Sequence, residues 1–161
     1  MTRQIIEPAV SLEEAKTWLY VDTDDLNDKL RMCIGAAISA AESYTNLTIS
    51  LSSYGLSLPF TRSTRLPAHP VVSVDAVKVD GEILDGGYAL DGDVLSMDDS
   101  VKGTTMEITF TAGVRPRECD EDIRIACLLI AADMFRNPVD AVRQLPTESQ
   151  MLLRPHRYHN V

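Results

Sequence analysis

The hydrophobic positions change period twice along the chain, and the changes divide it into three stretches. Between Pro8 and Thr45 they recur at helical spacing. Leu12, Ala15, Trp18 and Leu19 share one stripe, opposite Glu13, Glu14, Lys16 and Thr17, which predicts a short helix over roughly Ser11 to Leu19. Ser11 and Glu14 have the spacing of a capping box, in which each side chain satisfies an orphan backbone N–H of the first turn. The run Val21 to Asp25 ends that helix and offers Asp22 or Thr23 as N-cap for a second, longer one. Its stripe is Leu26, Leu30, Cys33, Ile34, Ala37, Ile38, Ala41 and Tyr44, and the alanines, with Gly35 and Ser39, predict close helix approach.

After Asn46 the spacing becomes alternation. Thr48 to Ser52 reads as a strand continued by Tyr54 to Leu58, and the prolines of Leu66 to Pro70 impose a turn or extended linker. Val71 to Val79 is a strand, Asp80-Gly81 a two-residue hairpin turn with positive φ at both positions, and Glu82 to Leu84 its antiparallel return. Tyr88 to Leu90, Val94 to Met97 and Met106 to Thr111 follow, separated by turns at Asp85-Gly86-Gly87 and Asp91-Gly92, which predicts a small meander.

Gly113 and Pro116 close the alternating stretch and helical spacing returns. Glu118, Asp120, Glu121 and Asp122 sit where a helix N-terminus favours acid, opening a third main helix with Ile123, Ala126, Cys127, Ile130, Ala131, Met134 and Phe135 on its buried face. Asp133 and Arg136 face outward or pair, and Asn137-Pro138 stops the helix. Val139 to Leu145 reads as a short helix, and Pro146 to Leu153 as a helical turn ended by Pro155. The expected fold is α+β: mainly an α-helical bundle of three main helices with a small antiparallel β insert between the second and third. The chain forms a single domain, 1–161, with N-terminal helices over 1–46, the insert over 47–114, C-terminal helices over 115–153 and a patternless tail over 154–161.

Composition narrows the class. At 161 residues and 45% hydrophobic the chain suits one domain with a core of its own. No apolar run is long enough to span a membrane and no charged start leads into an apolar stretch, so a soluble, intracellular protein is expected. Cys33, Cys119 and Cys127 are an odd number without a CxxC pair, all in apolar helical stripes. Buried free thiols are expected, with no disulfide and no zinc.

The net charge of −9 opposes a protein that grips a phosphate backbone. It is uneven: nine acids face two lysines between Val71 and Glu107, whereas the end beyond Asn137 is mildly basic. An acidic surface either lines a channel that DNA passes without sticking or simply keeps the protein soluble.

Catalytic chemistry is not evident. Asp91-Gly92-Asp93 and Asp98-Asp99 lack the ligand spacing of a calcium loop, because Val94 and Leu95 occupy ligand positions. His156 and His159 are three apart, but Pro155 and the chain end place them in a tail; His69 reads as a loop histidine without an identifiable partner. No phosphate-binding, nucleophile-elbow or metalloprotease motif occurs, so catalytic, cofactor and metal sites are each expected to be none. Arg62, Arg65, Arg115, Arg117 and Arg124 read as solvated or pairing residues, and Trp18 and Tyr20 as packing or staple residues.

The order of these features resembles the phage head-tail connector family, also called head completion or adaptor proteins. The matching parts are Val10 to Tyr44, Phe110 to Val114, Asp122 to Phe135 and Leu145 to Arg154; Leu47 to Glu107 matches only in style. The resemblance implies a structural, non-enzymatic virion protein at the head-tail interface, present in the host cytoplasm during assembly. Its implied partners are further copies of itself in a twelvefold ring, the portal protein, and the stopper or tail completion protein. DNA would pass through without specific binding, and no membrane is involved.

Family members reach the portal with C-terminal segments, and the mildly basic end from Leu153 to Val161 suits one that orders on binding. Arg154, Arg157 and Tyr158 are the portal-contact candidates, since Arg and Tyr are enriched at interface centres. A small acidic binding module of carbohydrate-binding or inhibitor type, using the β insert, is the alternative; a hydrolase whose acids the sequence does not pair is a third.

Overall fold

The structure is a computed structural model and describes residues 1–137 and 145–158. The expected helix over Val139 to Leu145 and the last residues, His159 to Val161, fall outside these except for Leu145.

The chain is not a three-helix bundle with a small β insert. Among the described residues it has four helices and eight strands in two antiparallel sheets, 35% helical and 31% strand, so the sheets match the helices in weight. The strands are β1 (Thr2–Glu7), β2 (Leu51–Pro59), β3 (Ser63–Arg65), β4 (Val71–Val79), β5 (Glu82–Ile83), β6 (Tyr88–Asp91), β7 (Val94–Met97) and β8 (Thr105–Ala112). The helices are α1 (Leu12–Leu19), α2 (Asn27–Thr45), α3 (Glu121–Arg136) and α4 (Thr147–Leu153), with a 3-10 turn over Arg154–His156.

Two hairpins of the expected meander form, β4–β5 and β6–β7, but the rest of the pairing joins strands distant in sequence. The larger sheet runs β1-β2-β8-β4-β5 and the smaller β3-β7-β6. β1 precedes the helices yet pairs with β2, which follows them, so the first two helices are enclosed by the sheet and the β part is no insertion. β1 escapes sequence reading because all six of its residues are exposed, leaving no alternation to detect. β8, by contrast, buries Met106, Ile108, Phe110 and Ala112 in strict alternation. Tyr54 opposite Phe110 on β2 stacks on it, ring centroids 5.2 Å apart.

Local predictions hold where chemistry is local. Ser11 and Glu14 form the capping box of α1, and the Glu14 N–H donates to Ser11 Oγ at 3.2 Å. Asp80 and Gly81 have φ of 50° and 88° at the β4–β5 turn. α2, however, begins at Asn27 without a side-chain cap, later than Asp22 or Thr23 would set it. The reason is Asp24, whose carboxylate accepts from Lys16 Nζ at 2.8 Å and whose carbonyl accepts the Asn27 N–H, which makes a turn of the acidic run. Gly35 and Ser39 are exposed and do not mediate the close approach; Ala37 and Ala41 face the core instead.

Two apolar clusters result. In one, Leu30, Ile34, Ala37, Ile38 and Ala41 of α2 pack with Ile123, Cys127, Ile130 and Ala131 of α3, closed by Ala15 and Leu153. The other joins the two sheets through Tyr54, Leu66, Val77, Leu95, Met97, Met106 and Phe110.

Glu42 links the halves. Its carboxylate accepts from both terminal nitrogens of Arg3 on β1, at 2.6 and 2.8 Å, and from the backbone N–H of Ile49 at 2.9 Å and of Ser50 at 3.3 Å. On the return path Gly113, at φ 107°, donates its N–H to the Pro70 carbonyl, and a Cβ there would lie 2.2 Å from the Ser50 carbonyl oxygen. Only glycine fits that crossing.

Candidate assembly interface

The C-terminal residues expected to be patternless are docked as far as Tyr158. Thr45 ends α2, and its carbonyl is one of the acceptors that a helix terminus leaves without a partner; the Tyr158 N–H donates to it at 2.7 Å. Asn46 Nδ2 donates to the Tyr158 carbonyl at 3.3 Å, and the Tyr158 ring stacks on His69 with centroids 4.9 Å apart. Arg157 lies over the Tyr44 ring at 5.3 Å, while His156 Nδ1 is 3.3 Å from Asp120 Oδ2. Of the three portal-contact candidates, Arg157 and Tyr158 therefore lean on the body. Arg154 is exposed and has no carboxylate partner among the described residues.

Beside this docked segment is a cleft of about 410 Å³ between the two clusters, with Ile49, Val71, Val114 and Ile123 as its apolar walls. His69, which sequence left without a partner, has its Nδ1 3.3 Å from Asp93 Oδ2, and Arg65 Nε is 3.4 Å from the same oxygen. These are ion-pair distances without hydrogen-bond geometry. Asp93 lies 24 positions further on, a separation that no local motif reports. The thiol in this cleft, Cys119, is pushed up to about 11 by burial and then by Asp120, which leaves it protonated at neutral pH and a poor nucleophile. It precedes α3 instead of lying on a helical stripe. Among the described residues no group of three or more His, Cys, Asp or Glu side chains could hold a metal ion.

Four of the five arginines read as solvated or pairing residues, all but Arg117, stand beside acids. Arg62 pairs with Asp99 at 2.8 Å, Arg65 faces Asp93, Arg115 is 4.0 Å from Glu118, and Arg124 pairs with Glu14 across the α1–α3 contact. Asp98 gives its carbonyl to Arg62.

Trp18 and Tyr20 are not core or staple residues: they are 40% and 90% exposed. Tyr20 is the C-cap of α1 and holds the left-handed conformation, φ 56° and ψ 43°, with its N–H directed to the Lys16 and Thr17 carbonyls. That conformation costs an L-residue about 1–2 kcal/mol, which glycine avoids. Trp18 and Tyr20, with Glu13, Glu14, Thr17 and Leu128, line a shallow groove. The legible signal was an aromatic residue at a helix end where glycine is usual. For Glu42 it was a carboxylate one turn after Ile38 and three residues before Thr45, beside the buried stripe.

Comparison with protein-family models finds no match, and none is found among curated proteins. Solved structures do match. The chain superposes over 100% of its length on 97% of a chain in the neck of the empty GTA particle computed with C6 symmetry, with a TM-score of 0.74 and 23% identity. A chain in the virion of the native gene transfer agent (GTA) particle gives 0.73 and 22% over the same shares. One in the neck of the native GTA particle computed with C12 symmetry gives 0.74 and 24%, again over 100% and 97%. The likeness shows a shared fold. It spans both halves, so the five-stranded sheet and the helices belong to one architecture.

Proposed function

We propose that this protein is a structural subunit of a phage-type head-tail neck, assembled as a ring beneath the portal, continuing the DNA channel and offering a docking surface to the stopper or tail. The full-length likeness to chains in particle necks is the observation that carries this reading. The symmetry of those necks supports a cyclic assembly. A rotation that closes requires two different complementary faces on each subunit.

The acidic-module alternative is weaker, because four of the nine acids between Val71 and Glu107, Asp75, Asp80, Asp93 and Asp99, are engaged within the chain. Asp75 accepts from Ser73 and Thr111, Asp80 from Thr104 and Thr105, and Asp99 pairs with Arg62.

Arg157 and Tyr158 remain the proposed portal contacts, and engaging a portal would release them from Tyr44 and His69. The test is light scattering and negative-stain imaging of the purified chain, alone and mixed with its portal. Rings, or decoration of the portal, are expected. A monomer at every concentration that ignores the portal would overturn the proposal.

A further inference from the structure

This inference rests on the ring reading and names the two faces that meet. α1 and the C-terminal turn flank α3 on opposite sides: Arg124 meets Glu14 of α1, whereas Asp122 lies 3.9 Å from His156. Two residues apart on a helix, at about 100° each, these side chains leave α3 about 160° apart.

The α1 flank carries Trp18, Tyr20 and Glu13, whose exposed carboxylate forms no salt bridge among the described residues, Lys16 being bonded to Asp24. On the far flank Met151, 72% exposed, and Arg154 stand one helical turn apart. Arg154 has no carboxylate partner among the described residues, and Glu148, one turn before Met151, is also exposed. Aromatic rings beside an exposed carboxylate are the chemical complement of a thioether beside an exposed guanidinium, through sulfur–aromatic contact, cation–π stacking and a charged hydrogen bond. The positions of Glu148 and Arg154 fix direction, since only the Arg154 end is attracted to Glu13. Tyr20, held in a conformation that an L-residue disfavours, almost wholly exposed, and bonded to its own helix only through its backbone, fits an anchor kept for a partner.

We infer that a second copy of this chain is the occupant of the Trp18–Tyr20 groove: Met151 and Arg154 of one subunit seat against Trp18, Tyr20 and Glu13 of the next, and this head-to-tail contact closes the ring. Arg154 is thus assigned to the neighbouring subunit instead of the portal.

Oxidative cross-linking of the full chain in a Cys33→Ser background tests it, at the concentrations where light scattering shows assembly and with portal added if the free chain stays monomeric. Tyr20→Cys mixed with Arg154→Cys should give a mixed dimer, each variant alone little, and both in one chain a ladder of multimers. Tyr20→Gly provides a second readout. It removes the ring and the backbone conflict together, so its melting temperature should equal or exceed that of the parent, while the concentration needed for assembly rises at least tenfold.

Homodimers from either single variant as abundant as the mixed dimer would overturn the head-to-tail pairing. So would Tyr20→Gly assembling like the parent. Rings without the Tyr20–Arg154 cross-link would show that the neighbours meet elsewhere, and the groove would then be free for the stopper; in that case the neck reading survives and this one falls. No assembly of the parent with or without portal would remove both.

Discussion

The helical half and the β half bury apolar surface in opposite ways. Between α1, α2 and α3 half of the buried positions in the cluster are small, Ala15, Ala37, Ala41, Ala126, Ala131 and Cys127, with Ile and Leu between them. Between the sheets they are large: Phe110, Tyr54, Met106, Met97, Leu95 and Leu66. Helices cross closely only where side chains are short, so the helical half is vulnerable to added volume. Sheets stand about 10 Å apart and must be filled by side chains, so the β half is vulnerable to lost volume. The chain draws rigidity from both, provided the halves stay coupled.

The strongest way to break this contrast is Phe110→Ala. The ring is fully buried and stacked on Tyr54, and its loss should cost about 3–5 kcal/mol in denaturant unfolding. A cost near that of an exposed residue would mean that the sheets close over the cavity. Ala41→Leu asks the reverse question of the helices, where a fully buried Cβ on α2 leaves no room; about 1–3 kcal/mol of destabilisation is expected, seen as a lower urea midpoint. If it were neutral, the tight-packing half of the contrast would be wrong.

Glu42→Ala tests the coupling. It strands Arg3 and takes an acceptor from Ile49 and Ser50, and should lower stability by about 1–3 kcal/mol. If the helical far-ultraviolet signal and the hydrogen-exchange protection of the β8 amides then separate into two transitions, Glu42 is the coupling residue. A single shifted transition would place the coupling elsewhere.

Ser11→Ala removes one local cap from the helical half and should cost about 1 kcal/mol, read as a small fall in melting temperature.

The smallest effect is expected in the β half at Asp80. Backbone N–H bonds from Thr105, then Thr104, hold its carboxyl below the usual carboxylate range. Because the folded value lies under the unfolded one, about 4, this contribution is complete above that pH and disappears as acid carries the solution through the folded value. Asp80→Asn should therefore lower the melting temperature slightly at pH 7, where the contribution is complete, and converge on the parent towards pH 2, which flattens the fall between about pH 5 and pH 2. An unchanged acid profile would show that these bonds do not contribute.

What the sequence determined by itself is the set of features written within a few residues of one another. The 3.6-residue stripes of α2 and α3, the Ser11–Glu14 cap, the Asp80-Gly81 turn and the alternation of β7 and β8 all follow from neighbours along the chain, because the backbone hydrogen bonds or φ values concerned are local. Only the tertiary structure decided which strands are adjacent, that β1 exists, that Asp93 stands beside His69, and that Tyr158 closes the end of α2. Alternation specifies the two faces of a strand and says nothing of its lateral neighbours. An edge strand exposed on both faces carries no alternation at all, so the pairing that made a small insert into half of a fold lay beyond any local pattern.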